Sequence, residues 1–304
     1  FDACCGTGAF LISGMNRLIE TIQNSQIANK QERISNIKQN QLLGFEKSNT
    51  MYSLAISNML FRGDGKSKIQ NIDFFSSEAT NILNELKPSI GFINPPYGGK
   101  DNKTNPTKKE IQFLERMLDN VSRYGIIIAP LSTFFKDETE RSRILSKHTL
   151  KCVLNMPSEL FQPNASTHTA IAVFETNLPH DDKEVIFYEL NDDGFVLSKN
   201  RGRTDVFNKW NRKKKDLFEK LSNPLKFSDG INLVYKSVNS DDEWILQAHK
   251  KNDFSKLTEK DFIDTIKKNI IFNIKNELNL IFSNIDELSL MEIFNKNNIN
   301  NDSI

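Results

Sequence analysis

Cysteine, net charge and long apolar runs are all scarce in this sequence. Only three cysteines occur among 304 residues, and Cys4 and Cys5 are adjacent. An odd count with two neighbours argues against a disulfide framework and for a reducing, cytoplasmic setting. The longest apolar runs span a few residues, as at 125–129, whereas a membrane-crossing helix needs about 20. No charged leader followed by an apolar stretch opens the chain, so nothing points to secretion. Lys and Arg number 40 against 39 Asp and Glu, a net charge of +1. That excludes a globally basic nucleic-acid coat but leaves local patches open. No internal repeat is present. Residue 1 is Phe rather than Met and leads directly into a loop, so the chain reads as a fragment whose beginning is missing. What is present, 38% hydrophobic residues over this length, suffices for one sizeable core with a smaller appendage.

The first two thirds alternate short apolar strands with amphipathic helices. Leu11, Met15, Leu18 and Ile22 form one face of a helix over 9–23. A polar stretch over 24–40 follows. Strands are expected at 41–45, 68–72, 90–93, 125–129, 150–154 and 170–174. Helices are expected at 48–61, at 77–87 (stopping before Pro88), at 108–122 and at 137–147. Such repetition implies a doubly wound sheet with helices on both faces. After about residue 178 the texture changes. Residues 184–190 and 194–197 look like an antiparallel pair. The segment 199–220 holds nine Lys/Arg against three Asp/Glu, a local excess of six positive charges by subtraction. Residues 255–295 read as mostly helical, with Phe262, Ile266, Ile270, Ile274 and Leu278 at four-residue spacing. The last eight residues, 297–304, are polar and expected to fray.

Gly6-Thr7-Gly8 lies between the first strand position and a helix, where an α/β sheet holds nucleotide-like ligands. Glycines permit the tight turn and a close approach of ligand to backbone. A phosphate-binding loop would need a Gly-Lys-Ser/Thr ending, which is missing. A dinucleotide fingerprint would need a third glycine where Leu11 stands. An ordinary turn is the other reading for the loop alone. Glu46 falls at the end of the second strand, where a carboxylate can accept from two ribose hydroxyls. Asp73 follows the third strand, where it can accept from an adenine amino group. Each alone is an unremarkable loop acid. Three such features at successive strand ends are the layout for an adenosine-containing cofactor.

Asn94-Pro95-Pro96-Tyr97 ends the fourth strand and is the most specific motif. Its prolines fix the backbone and remove two N–H donors. The Asn94 side-chain oxygen and the Pro95 carbonyl are then two acceptors suited to a planar amino group. Tyr97 offers a flat face on which a base can stack.

Residues 2–11, together with Ile93-Asn94-Pro95-Pro96-Tyr97-Gly98-Gly99-Lys100, resemble the N6-adenine DNA methyltransferase family. The nearest likeness is to the modification subunit of type I restriction-modification systems. Gly44-Phe45-Glu46 and Ile72-Asp73-Phe74 fall in the family's second and third cofactor motifs. The strands at 154–161 and 169–174 resemble its later ones, so the similarity covers roughly residues 1–200. It implies a Rossmann-like S-adenosylmethionine-dependent sheet over 1–178, and a smaller hairpin and mostly helical extension over 179–304.

S-adenosylmethionine is the implied cofactor, and no metal is expected. Asp2, Cys4, Gly6, Gly8 and Phe10 would bind its methionine side, Glu46 its ribose, and Asp73 with Phe74 its adenine. Asn94, Pro95, Pro96 and Tyr97 would be catalytic. Phe195 and Phe161 are candidates to close the other face of the target base against Tyr97. Lys100, Lys103, Lys108 and Lys109, with Arg201 and Arg203, are candidates for the DNA backbone. Ala3 stands where the family usually has proline, which alters loop stiffness more than chemistry. The family also carries a helical region and a further cofactor motif upstream, so this fragment is expected to bind cofactor weakly and to methylate poorly by itself.

The expected partners are double-stranded DNA and a separate specificity subunit, with or without a restriction subunit; no membrane is involved. Helices within 255–295 would either dock the specificity subunit or pack within the chain. The same motif also occurs in enzymes that methylate a protein glutamine or ribosomal RNA. A catalytically silent assembly subunit would keep the same fold as well.

Overall fold

The expected alternation of strand and helix is present. The computed structural model describes residues 1–63, 68–98, 109–161, 167–198, 202–251 and 258–279. In chain order the elements are α1 (Ala9–Asn24), α2 (Lys30–Asn40), β1 (Leu43–Phe45), α3 (Asn49–Phe61), β2 (Lys68–Gln70), α4 (Ser77–Leu86), β3 (Ile90–Ile93), α5 (Glu110–Asp119), β4 (Tyr124–Pro130), α6 (Glu138–Leu145), β5 (Thr149–Asn155), β6 (Thr169–Glu175), β7 (Glu184–Glu189), β8 (Val196–Ser198), β9 (Gly202–Thr204), α7 (Trp210–Ser222), α8 (Pro224–Phe227), β10 (Leu233–Ser237), α9 (Leu246–His249) and α10 (Glu259–Asn279).

One edge of the sheet is the parallel pair β2–β1, and the remainder runs β3-β4-β6-β5-β7-β10. Phe1 and Asp2 join the two parts, since Asp2 bridges Gly44 on one side and Phe92 on the other, both in parallel. The Asp2 N–H donates to Leu43 O at 2.9 Å and the Phe92 N–H donates to Phe1 O at 2.8 Å. β3 and β4 are parallel, whereas β6 runs antiparallel to both β4 and β5. The sheet is therefore mixed, with the carboxyl ends of β2, β1, β3 and β4 along one edge.

Helices cover both faces because the strands bury side chains on both. Leu11 and Met15 of α1, Ile37 of α2 and Met59 of α3 form one cluster with Leu42 and Ile69. On the other face Leu83 of α4, Leu114 and Met117 of α5 and Ile144 of α6 pack with Phe45, Ile93 and Ile127. Ser48 and Ser76 cap α3 and α4, accepting from the N–H of Met51 and Ala79.

Two local expectations differ from the structure. The polar stretch contains α2, whose buried residue is Ile37; a single inward contact leaves little apolar periodicity to detect. The segments 184–190 and 194–197 do not pair with each other. Instead β7 lies between β5 and β10, and β8 pairs with β9. The reason lies in alternation: Val185 and Phe187 join the large cluster, while Tyr188 joins Leu154 and Leu217 on the opposite face. A strand buried on both faces belongs inside a sheet.

The compact unit holding this sheet runs from Phe1 to Lys251, so β7 and β10 are part of it. The second unit, 252–304, contributes α10, on which Phe262, Ile266 and Ile270 are exposed. Among the described residues no helix is long and apolar enough to cross a membrane.

Candidate active site

The carboxyl edge of the sheet holds a cleft of about 710 Å³, lined among others by Cys4, Gly6, Glu46, Asp73, Phe74, Asn94 and Pro96. Seven of the residues singled out by sequence thus meet in one hollow. Its volume falls within the roughly 300–1,000 Å³ of small-molecule sites.

The floor is the glycine loop. Gly6 and Gly8 have φ of 53° and 85°, a left-handed backbone that other residues adopt only under strain. A Cβ at Gly6 would meet nothing within 4 Å, so its backbone faces open space, as a ligand cradle requires. The Gly6 N–H donates to Glu46 Oε2 at 2.9 Å and the Ser48 N–H donates to Glu46 Oε1 at 2.7 Å. Glu46 therefore locks the loop to the start of α3 while lining the cleft. Each carboxylate oxygen retains a further lone pair for a ligand hydroxyl. Asp2 lies beneath the floor, with its Oδ1 accepting from the Cys4 N–H at 3.1 Å. Burial pushes its carboxyl up to about 7, against that hydrogen bond. Burial likewise raises both thiols, Cys5 to about 12, so neither is a ready nucleophile. Gly8 forms the N-cap of α1, and Phe10 packs on Phe92 with centroids 5.9 Å apart.

Asp73 and the residues after it form one wall. Asp73 accepts from Lys47 Nζ at 2.8 Å and from the Phe75 N–H at 2.9 Å. Burial works to raise its pKa, but these two bonds together with the Lys47 and Arg116 charges outweigh it and hold the carboxyl below its usual range. Phe74 and Phe75 meet Phe113 of α5 with centroids at 6.2 and 4.8 Å. Phe113, Phe75, Lys47 and Ile72 line the cleft too; Ile72 falls in the third cofactor motif, and sequence reasoning missed the other three. Phe113 carried no usable signal, because it reads as one more apolar residue of an amphipathic helix.

At the other end stands the Asn-Pro-Pro-Tyr loop. Pro95 is buried, Asn94 and Pro96 are exposed, and Tyr97 is half-buried. The Tyr97 hydroxyl donates to Asn94 Oδ1 at 2.6 Å. Burial, aided by the Glu110 carboxylate, pushes the Tyr97 phenol up to about 12. Phe161 meets the Tyr97 ring edge-on, with centroids 6.2 Å apart and planes at 87°. Phe195 packs instead on Trp210 at 6.0 Å.

Of the basic candidates, Lys109 lies 3.4 Å from Asp137 at the surface. Arg203 is committed to Asp193 at 2.7 Å, with side chains only 11% and 9% exposed. Lys100, Lys103, Lys108 and Arg201 lie outside the described residues. A smaller hollow of about 370 Å³ lies beyond β7. Its lysines are already paired, Lys213 with Asp192 and Lys220 with Asp216.

A sequence model of the N-6 DNA Methylase family matches residues 1–275. The type II restriction enzyme and methyltransferase RM.BcgI of Heyndrickxia coagulans is 31% identical over 298 residues, covering 94% of this chain and 45% of that protein. In fold, the chain is similar to the type I restriction-modification methyltransferase subunit from Streptococcus thermophilus. That match has a TM-score of 0.57 at 17% identity and covers 78% of this chain and 50% of that one. A chain of a type I restriction-modification system, solved to explain complex assembly, gives a TM-score of 0.62 at 18% identity over 94% of this chain and 62% of that one. The chain thus spans between 45% and 62% of the length of these relatives.

Proposed function

The chain belongs to the N-6 DNA methylase family, and from this we infer that it methylates N6 of adenine in DNA, using S-adenosylmethionine, within a restriction-modification system. One observation carries the reading: the glycine loop with Glu46 and Asp73, and the Asn94–Tyr97 loop, open on a single cleft.

The cofactor fits the chemistry of the cleft. Glu46 and Asp73 offer acceptors for hydroxyl and amino groups, and Phe74 with Phe113 offers an apolar wall for a base. S-adenosylmethionine supplies an electrophilic methyl group when bound. The chain's own residues do the rest. An adenine inside a duplex cannot reach the cleft, so it must be flipped out, at a cost of a few kcal/mol. Stacking on Tyr97 returns about 1–3 kcal/mol of this, and Phe161 stands beside Tyr97 to narrow the slot. Asn94 Oδ1 and the Pro95 carbonyl accept from the N6 amino group, orient it, and raise electron density on its nitrogen as it attacks. Cys4 is half-buried and Cys5 buried; with both thiols raised by burial, neither serves as a nucleophile here, and the methyl group is taken to pass directly to N6.

Double-stranded DNA is the proposed substrate, and site recognition is assigned to a separate specificity subunit. The restriction activity named in RM.BcgI accompanies methylation in one protein. Cleavage assays on the product of the complete gene show whether this protein carries such an activity.

The test is to map N6-methyladenine in host DNA with and without the complete gene, and to offer labelled S-adenosylmethionine with DNA, RNA or protein. A methylated adenine at one recurrent site, lost on deletion, is the expected result. Transfer to RNA or to a protein glutamine instead, or to nothing, refutes the assignment.

A further inference from the structure

Helix α5 touches both halves of the cleft, and one side of it does so every three residues. Glu110, its first residue, accepts from the Gly98 N–H at 2.9 Å, directly behind Tyr97. Phe113 packs on the Phe74 and Phe75 rings. Arg116 then reaches across to the segment after β2. Its Nε donates to Phe74 O at 2.9 Å, and one terminal nitrogen donates to Thr80 Oγ1 at 2.8 Å and Ser76 O at 3.4 Å. The guanidinium also lies over the Phe74 and Phe75 rings, 5.2 and 5.4 Å from their centroids. Residues three apart share a helix side, so one rigid element holds the proposed adenine wall and the catalytic loop.

We propose that Arg116 is a positioning residue for the cofactor: it fixes the Asp73–Phe75 wall, and through α5 it sets that wall against the Asn94–Tyr97 loop. The inference rests on the function proposed above. Arginine suits the task because its planar fork serves several acceptors in fixed directions while its face stacks on aromatic rings. Lysine offers a charge and rotating donors but neither the fork nor the stack. The alternative is a plain tether, in which Arg116 only holds the start of α4. The two differ in what they change. A tether affects stability alone, whereas a positioning residue affects cofactor affinity and acts through Phe74.

The experiment uses the complete gene product and titrates S-adenosylmethionine calorimetrically against wild type, Arg116→Lys, Arg116→Met, Phe74→Ala and Phe74→Ala combined with Arg116→Met. Thermal midpoints and KM for DNA are read alongside. Arg116→Met should weaken cofactor binding about tenfold, equivalent to about 1.4 kcal/mol, with Arg116→Lys intermediate and KM for DNA within about twofold of wild type. The double variant should lose less than the product of the single losses. If Arg116→Met does not fold, Arg116→Lys carries the test through its own loss of affinity. Wild-type affinity in a folded Arg116→Met or Arg116→Lys protein, or losses that simply multiply, overturns the proposal. Failure of the wild type to bind S-adenosylmethionine overturns the assigned function instead.

Discussion

Tyr97→Phe removes a single oxygen atom bonded to Asn94, a residue of the cleft lining. In the resting loop that oxygen donates to Asn94 Oδ1 at 2.6 Å and lies 3.5 Å from Ile128 O. Asn94 Oδ1 is also the acceptor assigned to the adenine amino group, so the hydroxyl and the entering base compete for it. A neutral hydrogen bond contributes about 0.5–1.5 kcal/mol net. At about 1.4 kcal/mol per factor of ten, freeing the acceptor should tighten the flipped base by about two- to tenfold. Tyr97→Ala removes the ring as well. Loss of about 1–3 kcal/mol of stacking should then weaken the base by about five- to 150-fold. The phenol, raised to about 12 by burial and the nearby Glu110 carboxylate, stays protonated at assay pH, so neither effect should vary with pH. The assay is 2-aminopurine fluorescence at the mapped target position, titrated with the complete protein and cofactor. Equal losses in the Phe and Ala variants would refute the reasoning, because the hydroxyl would then be part of the grip on the base.

Three further outcomes are expected. Asn94→Ala should abolish or cripple methylation while leaving S-adenosylmethionine affinity largely intact; near-normal N6-methyladenine formation removes Asn94 from its role. Gly44→Ala would place a Cβ 2.7 Å from Leu11 Cδ1 and 3.1 Å from Cys5 Sγ. Overpacking of this kind should cost about 1–3 kcal/mol in urea denaturation and weaken cofactor binding through the displaced loop; an unchanged midpoint and affinity count against it. Asp2 is raised from 3.8 to about 7 by burial, so the fold favours its protonated form. Its contribution is fully present below about pH 4 and is lost as pH rises through about 7. Asp2→Asn should therefore gain stability over wild type on going from pH 4 to pH 8, and parallel pH profiles would exclude the effect.

Much of the site was legible because its signals are local. A positive φ at Gly6 and Gly8 and the rigidity of Pro95-Pro96 are backbone properties that residue types impose within a few positions. Each lies next to an apolar strand, and strand ends in an α/β sheet fall on one edge. Cys4, Gly6, Glu46, Asp73, Phe74, Asn94 and Pro96 therefore meet in the cleft as read. Phe161 and Phe195 show where locality ends. Both are aromatic residues near strand ends, yet Phe161 meets Tyr97 and Phe195 meets Trp210. The difference arises from the path of the chain after β6, where β7 enters the sheet and β8 turns away to pair with β9.

By itself, then, the sequence determined the kind of sheet, the loops at its strand ends and the family. Glycine, proline and alternating apolar residues act on neighbouring backbone and need no distant partner. Tertiary structure alone decided how those loops are braced. Phe113 and Arg116 sit about 40 positions from Phe74, and only the packing of α5 against the sheet brings them to it. Glu46 reads as a ribose acceptor, but the fold also gives it the Gly6 N–H to hold. Such contacts depend on the joint position of separate elements, which burial on both faces of the sheet sets.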